Sequence, residues 1–161
     1  VKRDFDWLSQ EYLRRRFSYD PLEGVLRWRN GRSAGRVAGT IKPDGYVYVG
    51  ISNTVLVAHR IIWRFVTGKW PANDIDHINR VKSDNVFSNL RESDRSENQI
   101  NSPPRGAVKF RGVSKSGDRW VARISRDGQR IYLGHFSTPE KAAAAYLAKA
   151  NEVYGSFAGS I

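Results

Sequence analysis

Residues 75–101 read IDHINRVKSDNVFSNLRESDRSENQIN and gather the side-chain types that phosphodiester hydrolysis needs. Asp76 sets a hard oxygen ligand directly beside His77, whose imidazole ordinarily titrates near about pH 6.5. Asn98, 21 residues beyond His77, can return as a second oxygen ligand. Hydrolysis requires a cation to neutralise the charge that develops on the phosphate, and a base to activate water. Each residue alone has a plainer reading: an Asp-His pair is ordinarily a surface turn, and a lone Asn ordinarily caps a turn or helix. Their ordered succession favours catalysis.

The elements around this set follow from local pattern. An apolar residue leads into Asp76 and His77 as a strand, and a polar, turn-rich loop runs through Asn85. Phe87, Asn89 and Leu90 then suggest a second short strand, and residues 93–100 a helix. Upstream, residues 6–17 (DWLSQEYLRRRF) space their apolar positions as an amphipathic helix ending in Arg14, Arg15 and Arg16, a triplet suited to the helix dipole or to phosphate. Asp20, Pro21 and Gly24 mark a turn before a strand at residues 25–28. A Gly, Ser and Arg-rich loop fills 30–39, a strand follows at 45–52, and 55–66 changes from strand to helix pattern, stopping near Gly68 and Pro71. His59 lies in that apolar stretch and reads as a hydrogen-bonded structural residue.

Beyond Pro103 and Pro104, which can continue neither a helix nor a central strand, the patterning changes, so 102–108 reads as a linker between a domain at 1–101 and another at 109–161. Three short strands are expected at 110–114, 119–126 and 129–136, with Asp127-Gly128 a hairpin turn. Thr138 as N-cap, Pro139 in the first turn and an Ala-rich body predict a helix over 138–154. One sheet face is apolar; the other carries Arg123, Ser125, Arg130 and Tyr132, with Arg111 and Arg119 close by, and such a face can enter a major groove. His135 reads as a sheet-end or DNA-side residue.

Composition agrees with a polyanion partner. The 161 residues carry 27 Lys+Arg against 16 Asp+Glu, a formal charge of +11, and residues 104–161 hold ten of the bases against four acids. With 40% hydrophobic residues and five Trp there is ample core material, which argues against general disorder. The absence of Cys excludes disulfides, thiolate zinc sites and cysteine nucleophiles. There is also no Met, so Val1 does not reveal how the chain starts. No apolar run approaches the roughly 18–20 residues of a membrane span, making a cytoplasmic protein the default expectation.

Two resemblances sharpen this picture. The run Asp76-His77, Asp84-Asn85, Ser88-Asn89-Leu90-Arg91 and Glu97-Asn98 resembles the HNH, or ββα-metal, endonucleases, in particular small phage and intron-encoded homing endonucleases. YDPLEGVLRW, DGYVYV and AHRIIW resemble their flanking pattern, so the likeness covers about residues 17–101. It implies His77 as general base, Asp76 and Asn98 as ligands of one Mg²⁺ or Mn²⁺, Asn89 orienting the imidazole, and Asn85 and Arg91 supporting the loop or contacting phosphate. FRGV, WVARI and RIYLGHFSTPEKAAAAY resemble the APETALA/ethylene-response-factor DNA-binding domain over about 109–161. That resemblance implies a DNA-facing set of Arg111, Arg123, Ser125, Arg130 and Tyr132 over a core of Trp120, Ile124, Leu133, Phe136 and Tyr146. Ser125 and Tyr132 replace larger Arg or Trp side chains common in the plant domains, so their recognition sequence does not transfer.

The fold expected is α+β: a ββα-metal nuclease domain followed by a three-stranded antiparallel sheet packed on one helix. The function expected is a metal-dependent, site-preferring endonuclease acting on double-stranded DNA, as monomer or homodimer. A non-catalytic DNA-binding regulator with a decayed nuclease domain is the rival, and an RNA-binding or RNA-cleaving protein a third reading.

Overall fold

Apolar side chains organise the chain into two compact units, Val1–Glu92 with one buried cluster and Ser93–Ile161 with two. The structure is a computed structural model, and it describes residues 5–101 and 109–160. The segment 102–108, expected as a linker, lies outside the described residues. Helices and small antiparallel sheets together give an α+β fold.

In the first unit, α1 (Gln10–Arg16) starts at Ser9, whose hydroxyl accepts from the Tyr12 amide, and ends in the three arginines. The expected helix ran through Phe17. Phe17 instead turns extended and opens β1 (Phe17–Asp20), because its side chain is wholly buried opposite Trp28 of β2 (Val25–Trp28). β3 (Thr40–Ile41), β4 (Val47–Ile51) and β5 (Thr54–Val57) form an antiparallel sheet in the order β3-β4-β5. β5 runs straight into α2 (Ala58–Thr67), which stops at Gly68 in the left-handed conformation. β6 (Asp74–His77) pairs with β7 (Leu90–Ser93). Leu13, Phe17, Leu26, Val49, Ile61, Ile62, Ile75 and Leu90 fill the core that these elements share.

The second unit begins in β7's last residue and contains α3 (Arg95–Asn101). A reciprocal cap starts α3: the Glu97 amide donates to Asp94 Oδ1, and the Asp94 amide to Glu97 Oε2. Ile100 of α3 packs with Ile124, Tyr146, Ala150 and Tyr154. β8 (Val113–Ser116), β9 (Arg119–Arg126) and β10 (Gln129–Phe136) form an antiparallel sheet with β9 central. β8 starts three residues later than the pattern suggests, because Gly112, at φ +67°, turns the chain against the Tyr146 ring. Asp127 and Gly128 both take positive φ, the geometry of a tight hairpin turn. α4 (Pro139–Tyr154) has Thr138 as N-cap, its hydroxyl accepting from the Lys141 amide.

Candidate functional site

Consecutive positions of a strand project to opposite sides, and β6 uses both. His77 is buried, and its Nε2 lies 3.1 Å from Oδ1 of the equally buried Asn85. Asn85 is held in turn: its Nδ2 donates to the Ser83 carbonyl, and its own carbonyl accepts from the Tyr19 hydroxyl. That hydroxyl also accepts from the Phe87 amide, so one phenol of β1 clamps the backbone on both sides of Val86. Gly24, in the β1–β2 turn, backs onto the same stretch; a Cβ there would stand 2.3 Å from the Val86 nitrogen.

Two further rings enclose His77. His59, from the first turn of α2, meets it edge to face at 5.1 Å between centroids, and Tyr46 lies 5.4 Å from His59 and 5.9 Å from His77. Burial, the nearby His77 and Arg60 push His59 down to about 3, so it is neutral at ordinary pH. Burial also lowers His77, opposed by the Asn85 hydrogen bond and the Asp76 charge. Lys82 stacks on Tyr46 at 4.7 Å and donates to the Asp44 carbonyl, fixing the outer side of this ring cluster.

Asp76 is buried and paired with Arg91 of β7: Nε and Nη2 reach its Oδ2 at 3.0 and 2.9 Å. Asn89 works on the connecting loop. Its Oδ1 accepts from the Asn79 amide, and its Nδ2 donates to Asn79 Oδ1 and to the Asp84 carbonyl. Asn85 is thus hydrogen-bonded to the imidazole, while Asn89 closes the loop from which Asn85 comes. Asn98 sits half-buried on α3, in the second unit.

Asp76 offers a carboxylate and Asn98 an amide oxygen, each of the hard-donor type that suits a divalent cation. Among the described residues there is no cluster of three or more His, Cys, Asp or Glu side chains that could cage a metal.

In the second unit, the register places Arg123 opposite Tyr132 and Ser125 opposite Arg130 on one face, all four exposed. Arg119, also exposed, shares their alternation along β9. A register shift between Tyr132 and Gly134 brings His135 opposite Val121, so His135 joins that face and its ring lies 5.8 Å from Tyr132. Val121 on the same face is buried nonetheless. Arg111 is half-buried near Tyr146, whose hydroxyl burial pushes up to about 12 against the opposing Arg111 charge.

Sequence reasoning did not find Tyr19, Gly24 or Tyr46 as parts of this site. Tyr19 and Gly24 both stand in YDPLEGVLRW and Tyr46 in DGYVYV, segments read only as a turn, short strands and flanking pattern.

Among the described residues no helix is long and apolar enough to cross a membrane. Residues 57–100, from the end of β5 to α3, match the model of the HNH endonuclease family. The chain is 33% identical over 103 residues to an uncharacterized HNH endonuclease of Acanthamoeba polyphaga mimivirus, covering 62% of this chain and 54% of that protein. It is 35% identical over 86 residues to the ethylene-responsive transcription factor WRI1 of Arabidopsis thaliana, covering 51% of this chain and 19% of that one. The chain thus spans about half the length of one relative and a fifth of the other. The stretch that carries Asp76, His77, Asn85, Asn89, Arg91 and Asn98 is therefore an HNH endonuclease-like segment, and nuclease chemistry is the activity class these side chains point to.

Proposed function

We propose that the protein is a metal-dependent, site-preferring DNA endonuclease of the homing type, in which a ββα-metal nuclease module over residues 1–101 is tethered through 102–108 to a DNA-anchoring sheet over 109–161. The observation that carries the catalytic half is the buried His77–Asn85 pair beside Asp76. An amide oxygen can only accept, so the Asn85 Oδ1 contact assigns the ring proton to Nε2 and leaves the lone pair on Nδ1. His77 Nδ1 is then the atom that takes the proton from attacking water. Burial keeps the ring neutral for that task near neutral pH. Asp76 and Asn98 would hold the divalent cation, Mg²⁺ or Mn²⁺, which when bound supplies charge neutralisation at the scissile phosphate. Arg91, through one hydrogen bond and one ion-pair contact to Asp76, sets the orientation of that carboxylate.

The anchoring half rests on the exposed row Arg119, Arg123, Ser125, Arg130 and Tyr132. Arginines on a sheet face reach guanine edges in a major groove, and tethering raises the effective concentration of a weakly binding nuclease at the sites so chosen. One active site cuts one strand, so a double-strand break requires a homodimer or two successive nicks.

The test is cleavage of supercoiled plasmid and of linear duplex with Mg²⁺, with EDTA, and with His77→Ala. Relaxation or cutting that needs both the metal and His77 supports the reading. Tight duplex binding with no cleavage across several metals and sequences would replace it with the DNA-binding regulator.

A further inference from the structure

Charge in the first unit is concentrated away from the ring cluster. Residues 14–36 hold seven of the sixteen Lys and Arg in 1–92 and only two acids, whereas the other 69 residues hold nine bases and eight acids. All seven are Arg, the side chain whose planar fork matches phosphate oxygens. Arg27 is paired with Glu23, and Arg16 lies over the Trp28 ring. Arg14, Arg15, Arg29, Arg32 and Arg36 are exposed, and among the described residues no carboxylate pairs with Arg32 or Arg36.

The loop that bears three of them is fastened to the end of α1. The Arg29 amide donates to the Arg16 carbonyl, Arg29 Nε to the Phe17 carbonyl, and Asn30 Nδ2 to the Arg15 carbonyl. The Trp28 amide donates to the Arg36 carbonyl and closes the loop on itself. These bonds gather the arginines of α1's end and of the loop at one end of the hairpin, and such a concentration of like charge favours a polyanion as partner.

The β1–β2 hairpin fixes where this patch lies. Its turn end touches the candidate active site, through Tyr19 to Asn85 and Phe87 and through Gly24 against Val86. Its open end carries the arginines, since the Arg29 amide bond to Arg16 continues the ladder beyond Phe17 and Trp28. Arg16, the residue just before β1, is three residues from Tyr19, about 10 Å at roughly 3.3 Å per residue. Duplex DNA rises about 3.4 Å per base pair, so the hairpin spans about three to five of them with the reach of an Arg side chain.

We propose that residues 14–36 form a second duplex-DNA-binding surface, which grips the phosphate backbone about three to five base pairs to one side of the scissile phosphate. The proposal takes its reference point from the nuclease reading above. It assigns the first unit its own hold on the substrate, independent of the sheet at 109–161, and gives the cut a polarity: the gripped phosphates lie on one side only.

The test uses the full chain and the triple variant Arg15→Gln, Arg32→Gln, Arg36→Gln, whose exposed side chains leave the core untouched. Binding to a random-sequence duplex is measured by fluorescence anisotropy in EDTA across a salt series, and circular dichroism confirms the fold. Each phosphate contact contributes about 0.9 to the log–log salt slope, so the variant's slope should fall by about two to three. Phosphate ethylation interference should show the one-sided contacts in the wild type and their loss in the variant. An unchanged slope while the wild type still cuts in a His77-dependent way overturns the patch and leaves the nuclease standing. A lowered slope in a protein that never cuts keeps the patch and removes the nuclease. Weakened binding to structured RNA with duplex binding intact overturns the assignment to DNA.

Discussion

His59 makes stability depend on acid in a way that can be worked out beforehand. Folding depresses its pKa from 6.5 to about 3, chiefly through burial. Above pH 6.5 the group is neutral folded or unfolded and exerts no pull. As pH falls below 6.5 the unfolded chain takes up the proton and the folded chain does not, so stability drops until about pH 3, where both states are charged. One proton is worth about 1.4 kcal/mol per pH unit inside that window, so between pH 7 and pH 5 His59 should remove about 2 kcal/mol. His59→Gln keeps polarity and approximate size without a titrating ring. Urea unfolding at both pH values, followed by tryptophan fluorescence, reads mainly the first unit, since four of the five Trp lie within residues 1–92. The wild type should lose about 2 kcal/mol more than the variant on acidification. Whatever the substitution does to packing is present at both pH values and cancels. Equal losses in the two proteins would refute the burial argument, and a larger loss in the variant would reverse its sign.

Other perturbations test the same site from different sides. Tyr19→Phe deletes the hydroxyl that bridges Asn85 and Phe87; chemical denaturation should show a loss of about 1 to 3 kcal/mol, and plasmid cleavage should fall with it. Gly24→Ala forces a Cβ against the Val86 nitrogen at positive φ, so it should cost about 2 kcal/mol or more and lower cleavage further than Leu22→Ala, a change at an exposed position in the same turn. His77 is held below its ordinary value, so cleavage should fail on the acid side only below about pH 6.5, where the base becomes protonated. Asn85→Asp puts a carboxylate on Nε2 and favours the charged ring, so the acid limb of the pH–rate profile should move up; a limb that stays in place would show that Asn85 does not govern the ring. In the second unit, Gly112→Ala would place a Cβ 2.3 Å from the Tyr146 ring and should lower thermal stability while leaving Gly128→Ala, in open space, the milder of the two.

Elements whose signals are local are legible in the sequence alone. Thr138-Pro139 opens α4, Asp127-Gly128 turns the hairpin, and Gly68 ends α2, each by chemistry confined to a few neighbouring residues. The catalytic candidates stood out for the same reason, since Asp76 and His77 are adjacent. What stayed hidden depends on separation along the chain. Tyr19 and Asn85 are 66 residues apart, and nothing in YDPLEG announces that its phenol will clamp a loop beyond α2 and β6. Gly24 looked like any turn glycine, and only the backbone of Asn85 and Val86 lying across it explains why no side chain fits. His59 reads as a hydrogen-bonded structural residue, but its contacts are with the Tyr46 and His77 rings and follow from where α2 packs.

The two loop asparagines show how a residue list can conceal a division of labour. Asn89 was expected to orient the imidazole, with Asn85 in support. Asn85 Oδ1 lies on Nε2 itself, and Asn89 bonds the Asn79 amide, the Asn79 side chain and the Asp84 carbonyl. Those three bonds shut the loop between β6 and β7 at both ends, since Asn79 leaves β6 and Asp84 precedes Asn85. An Asn is well suited to that position because its amide carries an acceptor oxygen and a two-proton donor on one short side chain, and both are used. Asn89→Asp would keep the acceptor for the Asn79 amide yet set a carboxylate against the Asp84 carbonyl, opening the loop and freeing Asn85. Its effect on His77 would then travel through Asn85, so the pair Asn85→Ala and Asn89→Asp should be far from additive in cleavage rate, the double variant losing little beyond the worse single. Additive losses would instead give Asn89 its own contact with the reaction.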